Sequence, residues 1–219
     1  MAENIIQQYY DQRGLEYGMN KLRKKKILEL VSEEGTENKR ILDMGCATGF
    51  FGKELKRKSN IVIGIDISEK LINEAKKVLD EAYALDIENE EWPKQFIENP
   101  FDIIICAEFI EHLFDQQKFL SIIKEILAPN GKLIITTPNF LVWNNRIKML
   151  LGRYGLKEVF NDRSHIHLLS YKGFKEMIIR AGFRVVRESH VWYPNWLEKY
   201  NANISPNLFV YQTIIKLQA

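Results

Sequence analysis

The segment Arg40-Ile-Leu-Asp-Met-Gly-Cys-Ala-Thr-Gly-Phe-Phe-Gly52, followed by Ile61-Val-Ile-Gly-Ile-Asp66, constrains this chain more than any other stretch. An apolar run ends in Asp43. A glycine-rich bend follows, then a helix-like stretch, then a second apolar run that ends in another acid. Strand, tight loop, helix and strand, with an acid placed for a ribose, is the opening of a nucleoside-binding α/β sheet.

The rest of the chain continues that alternation. Upstream, Met19, Leu22, Ile27, Leu30 and Val31 fall on one helix face, which the Arg23-Lys24-Lys25-Lys26 run interrupts only at Lys26. That run reads as a solvated helix face. Phe50 to Lys58 reads as the first helix after the bend. Ser68 reads as an N-cap, with Leu71, Ile72, Ala75, Val78 and Leu79 as the buried stripe behind it. Tyr83 to Asp86 is a short third strand. Phe101 to Ala107 is nearly continuous in apolar residues, as in the middle of a parallel sheet. Phe119, Ile122, Ile123, Ile126 and Leu127 repeat at helical spacing, Pro129-Asn-Gly131 ends that helix, and Lys132 to Thr137 is a fifth strand.

Five strands with helices between them predict a doubly wound parallel sheet with helices on both faces. The regularity breaks after Pro138. Residues 139–169 form a long excursion with an apolar, helix-compatible stretch around Trp143. Lys172 to Ala181 restores a helix capped by Gly182. Two strands finish the chain, Phe183 to Val191 and Asn207 to Leu217, with Trp192, Tyr193, Trp196 and Tyr200 in the loop between them.

Bulk numbers bound the class. A chain of 219 residues with 46% hydrophobic content suits one domain, residues 1–219, with a full core. Lys and Arg number 31 against 29 Asp and Glu, too even a balance to argue for nucleic acid by charge. Two cysteines, Cys46 and Cys106, make no disulfide framework, so reduced thiols are expected. The N-terminus shows no basic stretch followed by an apolar block, so no signal peptide is expected. No apolar run approaches the ~20 residues that span a bilayer. A cytoplasmic protein without a membrane span is the expectation.

Ligands of such sheets lie outside the carboxyl ends of the strands. Asp43, the Gly45–Gly49 loop, Asp66 and Asp86 all stand at predicted strand ends. Gly45 and Gly49 would let backbone approach a ligand, and the amides around Phe50 favour a carboxylate. Asp66 suits two ribose hydroxyls, and Asp86 an adenine amino group. The spacing Gly-x-x-x-Gly-x-x-Gly is not the Gly-x-Gly-x-x-Gly of dinucleotide binders, and Gly-Lys-Ser/Thr is missing.

The order Asp-x-Gly-x-x-x-Gly, then Gly-x-Asp, resembles the first motifs of class I S-adenosylmethionine-dependent methyltransferases. Phe101 to Glu108, Leu127 to Ile135 and Ala181-Gly-Phe183 resemble that family's fourth strand, fifth strand and entry to the sixth. The resemblance covers about residues 38 to 190. It implies a Rossmann-like seven-stranded sheet whose last strand runs antiparallel. It also implies S-adenosyl-L-methionine as cofactor, held by Asp43, Gly45, Cys46, Ala47, Gly49, Asp66, Ile67, Asp86 and Ala107. Many members carry Gly where Ala47 stands, which should narrow the loop slightly. The resemblance further places Tyr9-Tyr10-Asp11 and Tyr17 over the cofactor.

A second constellation is Glu108-Phe-Ile-Glu111-His112, with Ser164-His165-Ile-His167 far downstream. In a helical turn, positions i, i+3 and i+4 share a face. Two carboxylates and an imidazole suit Mg, Mn, Fe or Zn. The stretch resembles the Glu-x-x-Glu-His of ubiquinone-pathway O-methyltransferases and of enzymes that methylate the terminal 2′-hydroxyl of small RNAs. That resemblance implies a divalent metal at Glu108, Glu111, His112 and His165. Glu-His after the fourth strand also occurs in methyltransferases without a metal, where the histidine bonds to backbone or acts as a base. His190 reads as structural.

The expectation is methyl transfer to a hydroxyl of a small molecule: a phenol, a quinone precursor or a glycan. His112 and Glu111 are the catalytic candidates, with His112 as general base. Residues 139–169 and 192–206 are candidate acceptor lids. RNA 2′-O-methylation would need a basic, aromatic channel. A nicotinamide oxidoreductase is opposed by the glycine spacing. A non-catalytic nucleoside-binding regulator would bind cofactor without turnover.

Overall fold

A computed structural model describes residues 20–35, 37–56, 59–89, 92–153, 165–200 and 205–219. The expectations for Tyr9-Tyr10-Asp11, Tyr17 and Met19, and parts of both candidate lids, lie outside the described residues. Strands are β1 (Arg40–Met44), β2 (Ile61–Asp66), β3 (Glu81–Ala84), β4 (Phe101–Ala107), β5 (Leu127–Pro138), β6 (Arg184–Glu188), β7 (Val191–Trp192) and β8 (Val210–Gln218). Helices are α1 (Lys21–Ser32), α2 (Gly52–Leu55), α3 (Glu69–Ala75), α4 (Lys94–Ile97), α5 (Gln116–Ile126), α6 (Trp143–Leu150), α7 (Tyr171–Arg180) and α8 (Pro206–Phe209).

The sheet runs β3-β2-β1-β4-β5-β8-β6. The first five positions are parallel, and β8 is antiparallel to both β5 and β6. The expected antiparallel last strand is therefore present. The count is eight rather than seven, because the stretch expected as one strand from Phe183 to Val191 is broken at Ser189-His190. Both pieces lie on the same edge of β8. The Ser189 N–H donates to the Ile214 carbonyl, but the Ile214 N–H donates to His190 Nδ1. An imidazole thus replaces a backbone carbonyl in the ladder, which interrupts the strand and gives His190 a structural role.

The reversal in strand order falls between β1 and β4, which puts the carboxyl ends of both beside one crevice. Alternate residues of the central strands feed two cores, one per face. Leu42, Met44, Ile63, Ile65, Ile104, Cys106, Leu133 and Ile135 pack with Phe119, Leu120 and Ile123 of α5 and Phe174 and Ile178 of α7. Ile41, Val62, Ile103, Ile105, Ile134 and Ile214 pack with Ile27, Leu30 and Val31 of α1 and with Ile72 and Ala75 of α3. Each such Leu, Ile, Val, Met or Phe side chain contributes roughly 1.5–3 kcal/mol by leaving water. The two cores explain why the strands read as continuous apolar runs rather than alternating ones.

Side-chain caps start helices at Ser68, as expected, and at Asp115 and Ser170, which were not singled out by their sequence context. Ser68 Oγ accepts the Leu71 N–H, Asp115 Oδ1 the Lys118 N–H and Ser170 Oγ the Gly173 N–H. Boundaries differ elsewhere. β5 begins at Leu127, five residues early, and β8 begins at Val210 after the single turn of α8. The expected strand Tyr83–Asp86 is centred two residues earlier, and the first helix after the bend is the short α2.

α1 is anchored to its face of the sheet by charge as well. Lys216 of β8 is buried, and its Nζ bonds to Glu33 and Glu34 at the end of α1. Among the described residues no helix is long and apolar enough to cross a membrane.

Candidate active site

The glycine bend closes on its own backbone. The Gly45 and Cys46 N–H groups both donate to the Ile65 carbonyl, at 2.8 and 3.0 Å. Three residues in five take left-handed backbone: Gly45 (φ +69°), Ala47 (φ +47°) and Gly49 (φ +78°). Ala47 does so against a cost of roughly 1–2 kcal/mol. Its N–H donates to Asp66 Oδ2 at 3.0 Å, which ties the strained residue to the end of β2. Asp66 Oδ1 accepts the Ser68 N–H at 3.0 Å, so both oxygens are oriented by amides. Ile67 lies between these contacts, half-buried.

The glycines have a second reason to be glycine. A Cβ at Gly45 would lie 2.7 Å from the Phe109 ring, and one at Gly49 would lie 2.5 Å from Val78. The Cβ direction at these two Cα atoms is taken by protein side chains, so packing and left-handed backbone are reason enough for glycine there.

Asp43 is buried at the end of β1, and its Oδ2 has no hydrogen-bond partner among the described residues. Burial, reinforced by the Asp66 charge, pushes its carboxyl up to about 8. The Cys46 thiol is pushed well up by burial, with Asp43 and Asp66 adding to the shift. Asp86 stands exposed beyond β3, and its Oδ1 accepts the Glu88 N–H at 3.1 Å. Ala107, half-buried, ends β4 beside Thr136.

After β4 the chain makes a 3-10 turn, Ile110–His112, rather than an α-helical one. Glu108 precedes it with left-handed backbone, φ +52°. Its N–H donates to Thr136 Oγ1, and its Oε1 accepts the Thr136 hydroxyl at 2.8 Å. Glu108 Oε2 accepts Gln212 Nε2 at 3.1 Å and pairs with Arg23 Nη1 at 2.9 Å. Arg23, Thr136 and Gln212 were not singled out as site residues by their sequence context. The available signal was that Arg23 stands one turn before Ile27 on the buried face of α1.

Glu111 is 1% exposed, and neither carboxylate oxygen has a hydrogen-bond partner of good geometry among the described residues. Burial pushes its carboxyl well up, and the Glu108 charge adds to that. Arg23 and the adjacent Thr137 hydroxyl act in the opposite direction. The Glu111 carbonyl accepts the N–H groups of Ile166 and His167, both at 3.1 Å, which pins the returning segment to the turn. His165 Nε2 thereby lies 3.9 Å from Glu111 Oε1, and its ring meets that of His112 at 4.7 Å between centroids. One donor atom from each of Glu111, His112 and His165 lies within 4.8 Å of the others. That spacing and the unpartnered carboxylate fit a shared divalent cation. Glu108, expected with these three from the sequence, lies outside this group. His167 turns instead toward the Phe114 carbonyl, at 3.4 Å.

The two excursions meet at this edge. Trp143 stacks on Tyr193 at 6.0 Å and donates its indole N–H to the Tyr193 carbonyl. Asn139, buried, accepts the N–H groups of Leu141 and Tyr171 and donates to the Val210 carbonyl, fixing where the first excursion leaves the sheet. Trp192 and Leu197 pack with Val210 as local core, whereas Trp196 is exposed.

Residues 15–188 match a family model described as a methyltransferase domain. The ubiquinone biosynthesis O-methyltransferase of Coxiella burnetii is 33% identical over 149 residues, covering 65% of this chain and 59% of that protein. The enzyme of that name from Pasteurella multocida is 25% identical over 151 residues, covering 63% and 62%. The chain thus spans about three fifths of the length of these relatives. Among solved structures, magnesium protoporphyrin IX methyltransferase from Synechocystis PCC 6803 with bound SAH has a TM-score of 0.67 at 16% identity, covering 97% of both chains. A small RNA methyltransferase has a TM-score of 0.66 at 20% identity, over 93% of this chain and 26% of that one. At those identities the structural likeness speaks for the fold, and the family model spans most of the sequence. The chain belongs to the methyltransferase-domain family and has the fold of its class I S-adenosylmethionine-dependent members.

Proposed function

We propose that this chain moves the methyl group of S-adenosylmethionine to a hydroxyl oxygen of a small molecule: a phenol, a quinone precursor or a glycan. The observation that carries the acceptor class is the Glu111–His112–His165 cluster at the carboxyl end of β4, beside the glycine bend. The name shared by the curated relatives supports the same acceptor atom.

In this reading the cofactor lies along the bend. Asp66 and Ile67 hold its ribose end, Asp86 its adenine, and Asp43, Gly45, Cys46, Ala47, Gly49 and Ala107 its amino-acid end. Transfer is an in-line displacement. The acceptor oxygen bonds to the methyl carbon as the carbon–sulfur bond breaks, leaving S-adenosylhomocysteine. The hydroxyl proton must go to a base. A phenol with pKa near ~10 holds that proton at neutral pH, so a base within reach accelerates the step. His112 receives it, and the neighbouring His165 and Glu111 hold the imidazole in place. Alternatively, a divalent cation bound by Glu111, His112 and His165 would occupy the imidazole and instead supply Lewis acidity that lowers the pKa of a bound hydroxyl. Trp143 and Tyr193, from the described parts of the two excursions, stand over the acceptor. The buried, unpaired thiols of Cys46 and Cys106 accord with a reducing, cytoplasmic setting.

The test is calorimetric titration with S-adenosylmethionine, S-adenosylhomocysteine and NAD, followed by methyl-transfer assays on catechols, sugars and a short RNA. Cofactor binding with transfer to a catechol or sugar hydroxyl is expected. Transfer to RNA alone would move the assignment to the 2′-hydroxyl. Binding without turnover on any acceptor would favour a regulator.

A further inference from the structure

The two glutamates of Glu108-Phe-Ile-Glu111 are chemically alike, yet their surroundings are opposite. Glu108 receives three side-chain donors: the Thr136 hydroxyl, the Gln212 amide and the Arg23 guanidinium. Glu111 receives none of good geometry among the described residues. Glu108 meets Thr136, whereas Glu111 lies beside Thr137.

Arg23 is not a loose surface cation. Its side chain is 8% exposed, and that of Glu108 is 11% exposed. α1, which carries it, is held further by Lys26 on Glu198 at 2.8 Å and by Glu33 and Glu34 on Lys216. A guanidinium presented by an anchored helix is a fixed competitor for a carboxylate.

We propose that Arg23 is a positioning residue that withdraws Glu108 from cation binding, so that a divalent cation is held by one carboxylate, Glu111, and two imidazoles, His112 and His165. This rests on the reading of those three residues as a cation site. One carboxylate with two imidazoles is a donor set of catalytic zinc sites, which keep a coordination position open. A fourth protein ligand at Glu108 would fill such a position and add a hard oxygen that suits Mg²⁺. Arg23 therefore governs both the ligand number and the hardness of the site.

The experiment is calorimetric titration of the full chain with Zn²⁺ and with Mg²⁺, without acceptor. Glu108→Gln is expected to leave Zn²⁺ affinity within about threefold, while Glu111→Gln lowers it at least about tenfold. Arg23→Gln frees Glu108 and is expected to raise Mg²⁺ affinity at least about threefold, and Glu108→Gln in that background cancels the gain. If Arg23→Gln does not fold, the Glu108→Gln and Glu111→Gln pair decides alone. Equal Zn²⁺ losses in those two variants would overturn the proposal while leaving the cation site standing. An Arg23→Gln protein that folds with unchanged Mg²⁺ affinity would overturn it too, reducing the ion pair to a brace for α1. Wild-type protein that takes up neither ion would remove the cation site itself, and this proposal with it.

Discussion

The glycine bend and the Glu108–His112 turn sit at the ends of β1 and β4, adjacent strands of one sheet, yet they are built in different ways. The bend is held by residues close to it in the fold's repeating unit: its amides reach Ile65 and Asp66 at the end of the next strand. The turn is held by residues from the whole length of the chain, from Arg23 in α1 to Gln212 in β8. A local device tolerates change elsewhere, whereas an assembled one depends on charges that must arrive together.

The largest effect that would break this contrast lies in the turn. Arg23→Ala leaves the Glu108 charge buried without its partner and should cost about 3–5 kcal/mol in urea unfolding. Glu111→Gln should be neutral or stabilising at pH 8, because burial already opposes ionisation there. Similar losses for both would mean that the two glutamates are equivalent after all.

In the bend, Gly49→Ala drives a Cβ into Val78 and forces left-handed backbone on alanine. A loss of about 1–3 kcal/mol is expected in the same assay. A neutral result would show that the bend is looser than its contacts indicate.

Stability against pH sharpens the comparison further. The Asp43 carboxyl is raised from 3.8 to about 8. The native state therefore keeps a proton that the unfolded chain releases above pH 4. Its contribution is full below that pH and is lost as pH rises through about 8. The slope for one proton is at most about 1.4 kcal/mol per pH unit. Cofactor-free protein should melt lower at pH 8 than at pH 5.5, and Asp43→Asn should flatten that dependence. An unchanged slope in the variant would place the titrating group elsewhere.

The smallest effect is kinetic. Cys46 and Cys106 are buried, with thiols pushed up by burial, so both should resist alkylation until the chain unfolds. Rapid native labelling of Cys46 would mean that the bend opens.

The same contrast explains what the sequence revealed. β2 and β4 have the bounds their apolar runs suggest, and β1 extends its run by one residue at each end, because central parallel strands are buried on both faces. The antiparallel last strand followed from family resemblance rather than from its own residues. The break at His190 was not legible, because a histidine that accepts a backbone N–H leaves no periodic trace. Asp66 was legible as a strand-end acid, and Glu111, His112 and His165 as ligand-type residues. Glu108 fits the same motif, but its role turns on Arg23, 85 positions away in the chain, which looked like one cation of a surface run. Spacing reports what a residue can do, and only the fold reports what has already claimed it.

The central claim is that the bend and Asp66 hold S-adenosylmethionine, and titration of wild-type protein against Asp66→Ala tests it most directly. Loss of charge-assisted hydrogen bonds to the ribose should weaken cofactor binding about 10–100-fold. Urea midpoints measured alongside separate that loss from unfolding. Wild-type protein that ignored S-adenosylmethionine, or an Asp66→Ala protein that folded and bound it as tightly, would contradict the account.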